Sequence, residues 1–488
     1  MIQAEISSKQ QYPKSDPPPA SRQASPGSWV EQELESVNFG DQRLVKRSQR
    51  ILKSFFAHPM ASIPEACGSV AAAKAAYDFF DNLSVSRDAI LSSHGRRTLE
   101  RMAECPVVLA VQDTTSLNHS RHPQIRGLGP IGTDAEGTQG LFLHTTLAFT
   151  PQRMPLGVLQ VQTWARDGNQ IGQSERRRQR PIEDKESFKW IKSFQACQRW
   201  QTQLAQTLLV NLGDRESDVY ELFEQAHGLA AGPYLLIRAE QDRCLAEPSG
   251  ERLWHWLEQQ PVAGYLTVGL KATPKRAART AEIAVRWARV NLKPPRNAPS
   301  RSARPLIPVC AILAQEVNAP LGVEPVCWML LTNLVVQTTG QALEKVEWYC
   351  VRWEIEVFHK ILKSACQVEH RQLETLDRLE RCLALDLLVA WRIHFLTKHS
   401  RQHPDLPASV VFTEDELDLL YQYLQTKPLP ASETLTVHQA TRMVAQLGGF
   451  LGRKGDGEPG PITLSRGLRR LHDMTTGYLV ARRSHSPP

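Results

Sequence analysis

The fold of this chain is decided by the stretch Pro106-Val-Val-Leu-Ala-Val-Gln-Asp113, a short apolar run rich in β-branched residues that closes on an acid. The pattern recurs, after a predicted helix over 186–206, in Leu208-Leu-Val-Asn-Leu-Gly-Asp214. Short apolar runs of this kind are typical of buried strands in an α/β sheet. Acids at the carboxyl ends of neighbouring strands converge in one crevice. The two runs therefore predict an α/β core in which Asp113 and Asp214 lie close together.

Further elements are predicted on both sides of these strands. Strand patterns cover 141–150, 156–164, 234–239, 265–271, 306–316 and 327–332, and a helix pattern covers 217–224. The pattern is helical from Trp29 to about residue 93, where Ser69 is a candidate cap for a helix over Val70–Phe80. It is helical again from 341 to 397 and, after a polar break, towards the C-terminal tail. Residues 1–28 are polar and rich in Pro and Ser, which predicts a disordered tail.

Composition narrows the class of protein. The 488 residues are 41% hydrophobic and 22% charged, which is typical of a globular protein with about two to four domains. No apolar run is long enough to cross a bilayer, and the N-terminus has no signal-like apolar stretch, so we expect a cytoplasmic protein. The nine cysteines are scattered without a Cys-x-x-Cys pair, which argues against a disulfide framework or a zinc ribbon.

Positive charge is concentrated in three places. The net charge is +7, and the segment from Lys271 to Arg304 holds ten Lys or Arg residues with the single acid Glu282. The other two clusters contain Arg176, Arg177, Arg178 and Arg180, and Arg43, Lys46, Arg47, Arg50 and Lys53. One such run is usually a solvated face, but three in one chain favour contacts with nucleic-acid phosphates.

A predicted helix over Glu347–Lys363 carries a polar face. At about 100° per residue, a narrow arc roughly 60° wide holds Tyr349, Arg352, Glu356 and Lys363, and His359 and Lys360 flank it. The opposite side holds Val351, Ile355, Phe358 and Leu362. Taken alone, this is also the pattern of a surface helix with ion pairs between residues four apart.

Asp113, Asp214 and Glu356 together would supply three hard oxygen ligands. Mg²⁺ and Mn²⁺ prefer such ligands, and two ions about 3.5–4 Å apart can stabilise the attacking and leaving oxygens of an in-line phosphoryl displacement. We therefore expect Mg²⁺, with Mn²⁺ able to substitute. Arg352 and Lys363 would hold phosphates, and Tyr349 could donate a hydrogen bond to one.

The order Tyr349-x-x-Arg352-x-x-x-Glu356, followed seven residues later by Lys363, resembles the YREK signature of the insertion-sequence-four family of DDE transposases. Asp113-Thr-Thr-Ser-Leu and Asp214-Arg-Glu-Ser-Asp resemble that family's first and second aspartate segments. The resemblance implies an RNase H-like catalytic domain over 96–400 with a β-rich insertion at about 240–332. It also implies a helical DNA-binding domain over 29–95 and a helical dimerisation region over 401–488.

The resemblance also implies cut-and-paste transposition by a homodimer that binds transposon-end DNA and target DNA. Trp328 would stack on a base flipped out at a DNA hairpin, a contact worth about 1–3 kcal/mol; the alternative is a buried core residue. The residues expected to contact DNA are Trp328, Tyr349, Arg352, Lys363, His359, Lys360, Arg238, Arg43, Arg47 and Arg50. Two alternatives remain, a nuclease that does not join strands and a DNA-binding protein without catalytic activity.

Overall fold

The computed structural model describes residues 4–6, 29–132, 137–168, 181–246, 250–270, 277–296 and 303–485. The strands in these residues are β1 (Ala4–Ile6), β2 (Val107–Asn118), β3 (Gly129–Pro130), β4 (Gln139–Phe149), β5 (Pro155–Trp164), β6 (Leu208–Gly213), β7 (Tyr234–Arg238), β8 (Gly264–Leu270), β9 (Arg279–Leu292), β10 (Ile307–Val317) and β11 (Cys327–Thr332). They form one mixed sheet in the order β1-β8-β9-β10-β11-β7-β6-β2-β4-β3, and β5 pairs with β4.

Helices cover both faces of this sheet and both ends of the chain. Those in the first half are α1 (Trp29–Glu33), α2 (Gln42–Ala57), α3 (Ile63–Cys67), α4 (Val70–Asp81), α5 (Arg87–Ala103), α6 (Phe188–Gln201), α7 (Tyr220–His227) and α8 (Leu253–Glu258). The others are α9 (Thr339–Cys350), α10 (Trp353–Lys360), α11 (Leu376–Gln402), α12 (Glu414–Gln425), α13 (Val437–Leu447) and α14 (Pro461–His485). None of the helices in the described ranges is both long and apolar enough to cross a membrane.

The centre of the sheet has the predicted α/β character. Strands β2, β6 and β7 are parallel to one another, whereas β4 is antiparallel to both β2 and β5. Parallel strands need helices between them, and α6 and α7 connect β5 to β6 and β6 to β7. The α/β class expected from the apolar runs is therefore confirmed.

The predicted insertion extends this sheet instead of forming a separate layer. Strands β8, β9, β10 and β11 are an antiparallel series, and β11 pairs with the edge of β7. Strand β9 lies in the cation-rich segment, for which the sequence did not predict a strand. Arg279 in β9 forms an ion pair with the buried Glu316 of β10, so this cation belongs to the sheet.

Alternate residues of the strands pack into two cores on opposite faces. In β11, Trp328 and Leu330 belong to a core shared with α9 to α11, whereas Met329 and Leu331 belong to a core shared with α6, α7 and α8. This alternation is the period of two that a strand buried on both faces requires. The short helix α10 packs directly against the central strand β2, next to the candidate site.

The segment 347–363 departs from the regular helix that was predicted. The N–H groups of Val351 and Arg352 donate to carbonyls three residues back, at 3.0 Å each, and this tighter turn separates α9 from α10. A π-type turn over Ile361–Ala365 follows α10. A tight turn and a wide turn both change the angle between successive side chains. One arc for Tyr349, Arg352, Glu356 and Lys363 was therefore an oversimplification, although the predicted apolar side is buried throughout.

The N-terminal helices match their prediction in outline. The Ser69 hydroxyl accepts a hydrogen bond from the N–H of Ala72 at 3.2 Å, as expected for the cap of α4. Buried polar contacts hold these helices together and to the rest of the chain: Glu33 of α1 pairs with Arg101 of α5, and Arg371, which pairs with Asp386 of α11, donates to the carbonyl of Ala61. Within the segment predicted as a disordered tail, Ala4–Ile6 pairs with β8; its other residues lie outside the described ranges.

Candidate active site

Asp113 and Asp214 occupy matching positions on neighbouring parallel strands. Val111 of β2 pairs with Leu212 of β6, and each acid follows two residues later. Asp113 does not end its strand as predicted, because β2 continues to Asn118 by pairing with β4 alone. Asp214 caps a short 3-10 turn, and its carboxylate accepts a hydrogen bond from the N–H of Glu216 at 2.9 Å.

Glu356 joins these acids from helix α10. The Arg352 guanidinium donates through Nη1 to Oδ2 of Asp113 at 3.2 Å and through Nη2 to Oε1 of Glu356. One cation thus links the central strand to the helix. All three side chains retain some contact with solvent: 8% of Arg352, 16% of Asp113 and 21% of Glu356 is exposed.

The pKa values of the acids are those of carboxylates crowded at a partly buried site. Burial raises the pKa of Asp113 to about 6, even though Arg352 opposes the shift, and the charges of Asp214 and Glu356 raise it further. Burial also raises the pKa of Asp214 and of Glu356 against the opposing charge of Arg352. The three ionised acids repel one another, and a cation bound among them would offset this repulsion and stabilise their ionised state.

A layer of buried polar groups lies beneath these acids. Thr114 is hydrogen-bonded to Nδ1 of His144 at 2.9 Å, and Nε2 of His144 lies 3.2 Å from Gln112, which donates to Asn211 of β6. Such a layer fixes β2 against its neighbours. This layer has no signal in the sequence, because its members lie on three separate strands with no common spacing.

Lys189 of α6 is a cation that the sequence analysis missed. It is 9% exposed, and Nζ donates to Oε2 of Glu216 at 3.0 Å, two residues after Asp214. It also lies over the rings of Trp164 and Trp190, at 5.7 and 5.6 Å. Its position in the first turn of the predicted helix over 186–206 was the available signal.

Tyr349 and Trp328 are buried together at the base of this site. Only 5% of Tyr349 and 4% of Trp328 is exposed, and their rings meet edge to face at 5.9 Å. Burial raises the pKa of Tyr349 to about 12. The structure thus places Trp328 in the core, as in the alternative given above, and its stacking on a flipped base stays a prediction. The ring is buried because β11 is covered on both faces.

The remaining residues of α10 and the following turn differ in accessibility. His359 is buried, and its Nε2 lies 2.8 Å from the Thr145 hydroxyl, so it faces β4 and not a DNA phosphate. Burial lowers the pKa of this imidazole to about 3. Lys360 is exposed, and Lys363 is half-buried with Nζ 4.0 Å from Glu369. Of these three residues, Lys360 and Lys363 are thus accessible to a phosphate.

The other predicted DNA contacts lie in two regions. Arg238 follows Ile237, the partner of Gly213, so it lies beside Asp214, and its guanidinium donates to the carbonyl of Cys327 at 3.0 Å. On α2, Arg43 and Arg50 are exposed and Arg47 is half-buried, and Arg43 is paired with Asp41. The cluster at 176–180 lies outside the described residues, as do Lys271, Lys275, Arg276 and Arg301 of the ten-cation segment.

Three family models match successive parts of the chain. Residues 26–85 match a transposase DNA-binding domain, residues 250–391 a transposase DDE domain, and residues 388–487 a transposase Tn5 dimerisation domain. These are the domains of a DDE transposase. The DDE domain implies an RNase H-like core. Its match includes Arg352 and Glu356 and begins after Asp113 and Asp214.

One solved structure similar to this transposase chain is that of piggyBac transposase in a synaptic complex with hairpin DNA. The identity is 9%, and the superposition covers 100% of this chain and 85% of that chain with a TM-score of 0.34.

Proposed function

We propose that this protein is the transposase of an insertion sequence of the insertion-sequence-four family, and that it cuts and joins DNA at transposon ends in a metal-dependent reaction. The observation that carries the proposal is the convergence of Asp113, Asp214 and Glu356 around Arg352, in a chain with transposase DNA-binding, DDE and dimerisation domains. The order of Tyr349, Arg352, Glu356 and Lys363 supports the family assignment.

The chemistry of the three acids fits a divalent cation. In the described residues no group of three or more His, Cys, Asp or Glu side chains is arranged to hold a metal ion as it stands, and Arg352 lies between Asp113 and Glu356. The donors are nevertheless all carboxylate oxygens, the ligand type that Mg²⁺ and Mn²⁺ prefer. Asp113, Asp214 and Glu356 would hold the cation once the guanidinium moves aside. When bound, Mg²⁺ would activate the attacking hydroxyl and stabilise the leaving oxygen.

The cations around the acids would orient the DNA. Arg352, released from Asp113 and Glu356, could pair with a phosphate of the scissile strand, because its planar guanidinium suits bidentate contact with phosphate oxygens. Lys360 and Lys363 would hold adjacent phosphates as point charges, and Arg238 lies close enough to Asp214 to do the same. The exposed cations of α2 would contact the backbone of the transposon end.

The reaction would proceed in the order of a cut-and-paste mechanism. Water attacks the phosphodiester at the transposon end and leaves a free 3′-hydroxyl. That hydroxyl attacks the opposite strand, which forms a hairpin on the transposon end; the hairpin is reopened by hydrolysis, and the 3′-hydroxyl then attacks target DNA. A homodimer would hold two ends together, consistent with the match to a dimerisation domain. A bacterial cytoplasm is the proposed location.

A nuclease that does not join strands is a second candidate, favoured by the burial of Trp328. The test incubates the protein and Mg²⁺ with a labelled duplex that carries the end of the element encoding this chain, and denaturing and native gels separate the products. A transposase yields nicks, hairpins and strand-transfer products. The nuclease yields nicks alone, and a protein that only binds DNA yields a shifted but uncut duplex; either result would refute the proposal.

A further inference from the structure

The first turn of α10 carries two acids that point in different directions. Glu356 faces Arg352 and Asp113, whereas Glu354 is buried, with 2% of its surface exposed. Successive residues of an α-helix are about 100° apart, so residues two apart lie on nearly opposite sides. Fixing Glu354 on one side of this short helix therefore also fixes the direction in which Glu356 points.

Three cationic or polar groups surround the Glu354 carboxylate. Lys398 Nζ donates to Oε1 at 2.7 Å, and Nε2–H of His394 donates to Oε2 at 3.1 Å. Arg153, in the turn between β4 and β5, places Nη1 at 3.8 Å from Oε1. The three partners come from α11 and from the central sheet, so the carboxylate joins three elements at one buried point.

His394 and Lys398 lie in the second half of α11, which is within the match to the dimerisation domain at residues 388–487. Glu354 is thus a direct contact between the helix that carries Glu356 and the start of the region matched to subunit pairing. We propose that Glu354 is a positioning residue, through which the placement of the dimerisation domain sets the orientation of Glu356. The inference rests on the proposed function, because it takes Glu356 to be a metal ligand.

A small rotation of α10 would displace the Glu356 carboxylate by more than a metal site tolerates. A helix with its side chains has a radius of about 5–6 Å, so a rotation of α10 by about 10° would move the Glu356 carboxylate by about 1 Å. Metal–ligand distances tolerate only about 0.2 Å. Loss of a group that orients a metal ligand typically costs about 10–100-fold in metal affinity. We expect an effect of this size when Glu354 loses its partners.

The test measures Mn²⁺ binding to the full chain by the electron paramagnetic resonance signal of free Mn²⁺. The variants are Glu354→Gln, Lys398→Met and their combination. Asp386→Asn is the matched control, because Asp386 is an equally buried acid on α11 whose partner Arg371 reaches the N-terminal helices. All proteins are measured at least 10 °C below their own melting temperature, and duplex binding is measured alongside.

We expect each single variant to weaken Mn²⁺ binding at least about tenfold. The double variant should bind Mn²⁺ only slightly less tightly than the single variant with the lower Mn²⁺ affinity, because both changes remove one shared contact. Duplex binding should persist, and Asp386→Asn should bind Mn²⁺ within about threefold of the wild type. Wild-type affinity in Glu354→Gln and Lys398→Met would overturn the inference, as would an equal loss in Asp386→Asn. Unchanged Mn²⁺ binding in Asp113→Asn would instead overturn the proposed function itself.

Discussion

Replacing Asp113 by Asn removes a carboxylate that the folded protein holds at a cost. Burial raises the pKa of Asp113 from 3.8 to about 6, and this difference corresponds to about 3 kcal/mol at about 1.4 kcal/mol per unit. Between these two pH values the folded state binds a proton that the unfolded state does not. The free energy of unfolding therefore falls as the pH rises through this window, and the full cost is present above about pH 6.

Asp113→Asn should accordingly raise the free energy of unfolding at pH 8 by up to about 3 kcal/mol, and the gain should disappear as the pH falls towards 4. Urea denaturation in EDTA at pH 8, 6 and 4.5 measures it. Glu354→Gln is a control with the opposite sign. Burial favours a higher pKa for Glu354, but His394 and Lys398 lower this pKa to about 2. Glu354→Gln should therefore lower the free energy of unfolding, and the decrease should be largest at pH 8 and smaller towards pH 4.5. A gain from Asp113→Asn that stays constant with pH, or a loss at pH 8, would refute the reasoning.

Two further outcomes follow from the burial and charge of named side chains. Trp328→Ala should lower the free energy of unfolding by about 3–5 kcal/mol and reduce nicking and hairpin formation together. Trp287→Ala, at a half-buried position, should lower the free energy of unfolding less. A normal thermal melt of Trp328→Ala with loss of hairpins alone would instead support the stacking role. Replacing Lys360 and Lys363 by Ala should weaken binding to any duplex and reduce the slope of log K against log salt by up to about 0.9 for each contact; an unchanged slope would make both lysines solvated surface.

Elements with a clear local pattern could be predicted from the sequence. The apolar run over Cys327–Thr332 is a strand with those bounds, and the runs that end near Asp113 and Asp214 are neighbouring parallel strands. Strand β9 was missed because Arg286 and Arg289, three residues apart and therefore on opposite faces of the strand, interrupt the apolar alternation on both faces. Its buried partner residues come from β8 and β10, which no local window contains.

The candidate site was predictable in its acids and less so in its surroundings. The apolar runs that end in Asp113 and Asp214, with the spacing of Arg352 and Glu356, predicted that these side chains lie at one site. In the structure, Arg352 links Asp113 to Glu356. The burial of Trp328 and His359 depends on which faces of β11 and α10 other elements cover, and that is a tertiary property. Lys189 approaches from a helix 25 residues before Asp214.

The central claim is that three carboxylates perform the chemistry and the cations bind the DNA. The most direct measurement compares Mg²⁺-dependent cleavage and gel-shift binding of an end-containing duplex by Asp113→Ala, Asp214→Ala and Glu356→Ala, with Glu258→Ala, an exposed acid on α8, as the control. We predict that each of the three variants loses cleavage while binding stays near the wild-type level, and that the control cuts normally. Near wild-type cleavage by any one of the three would contradict the three-acid site.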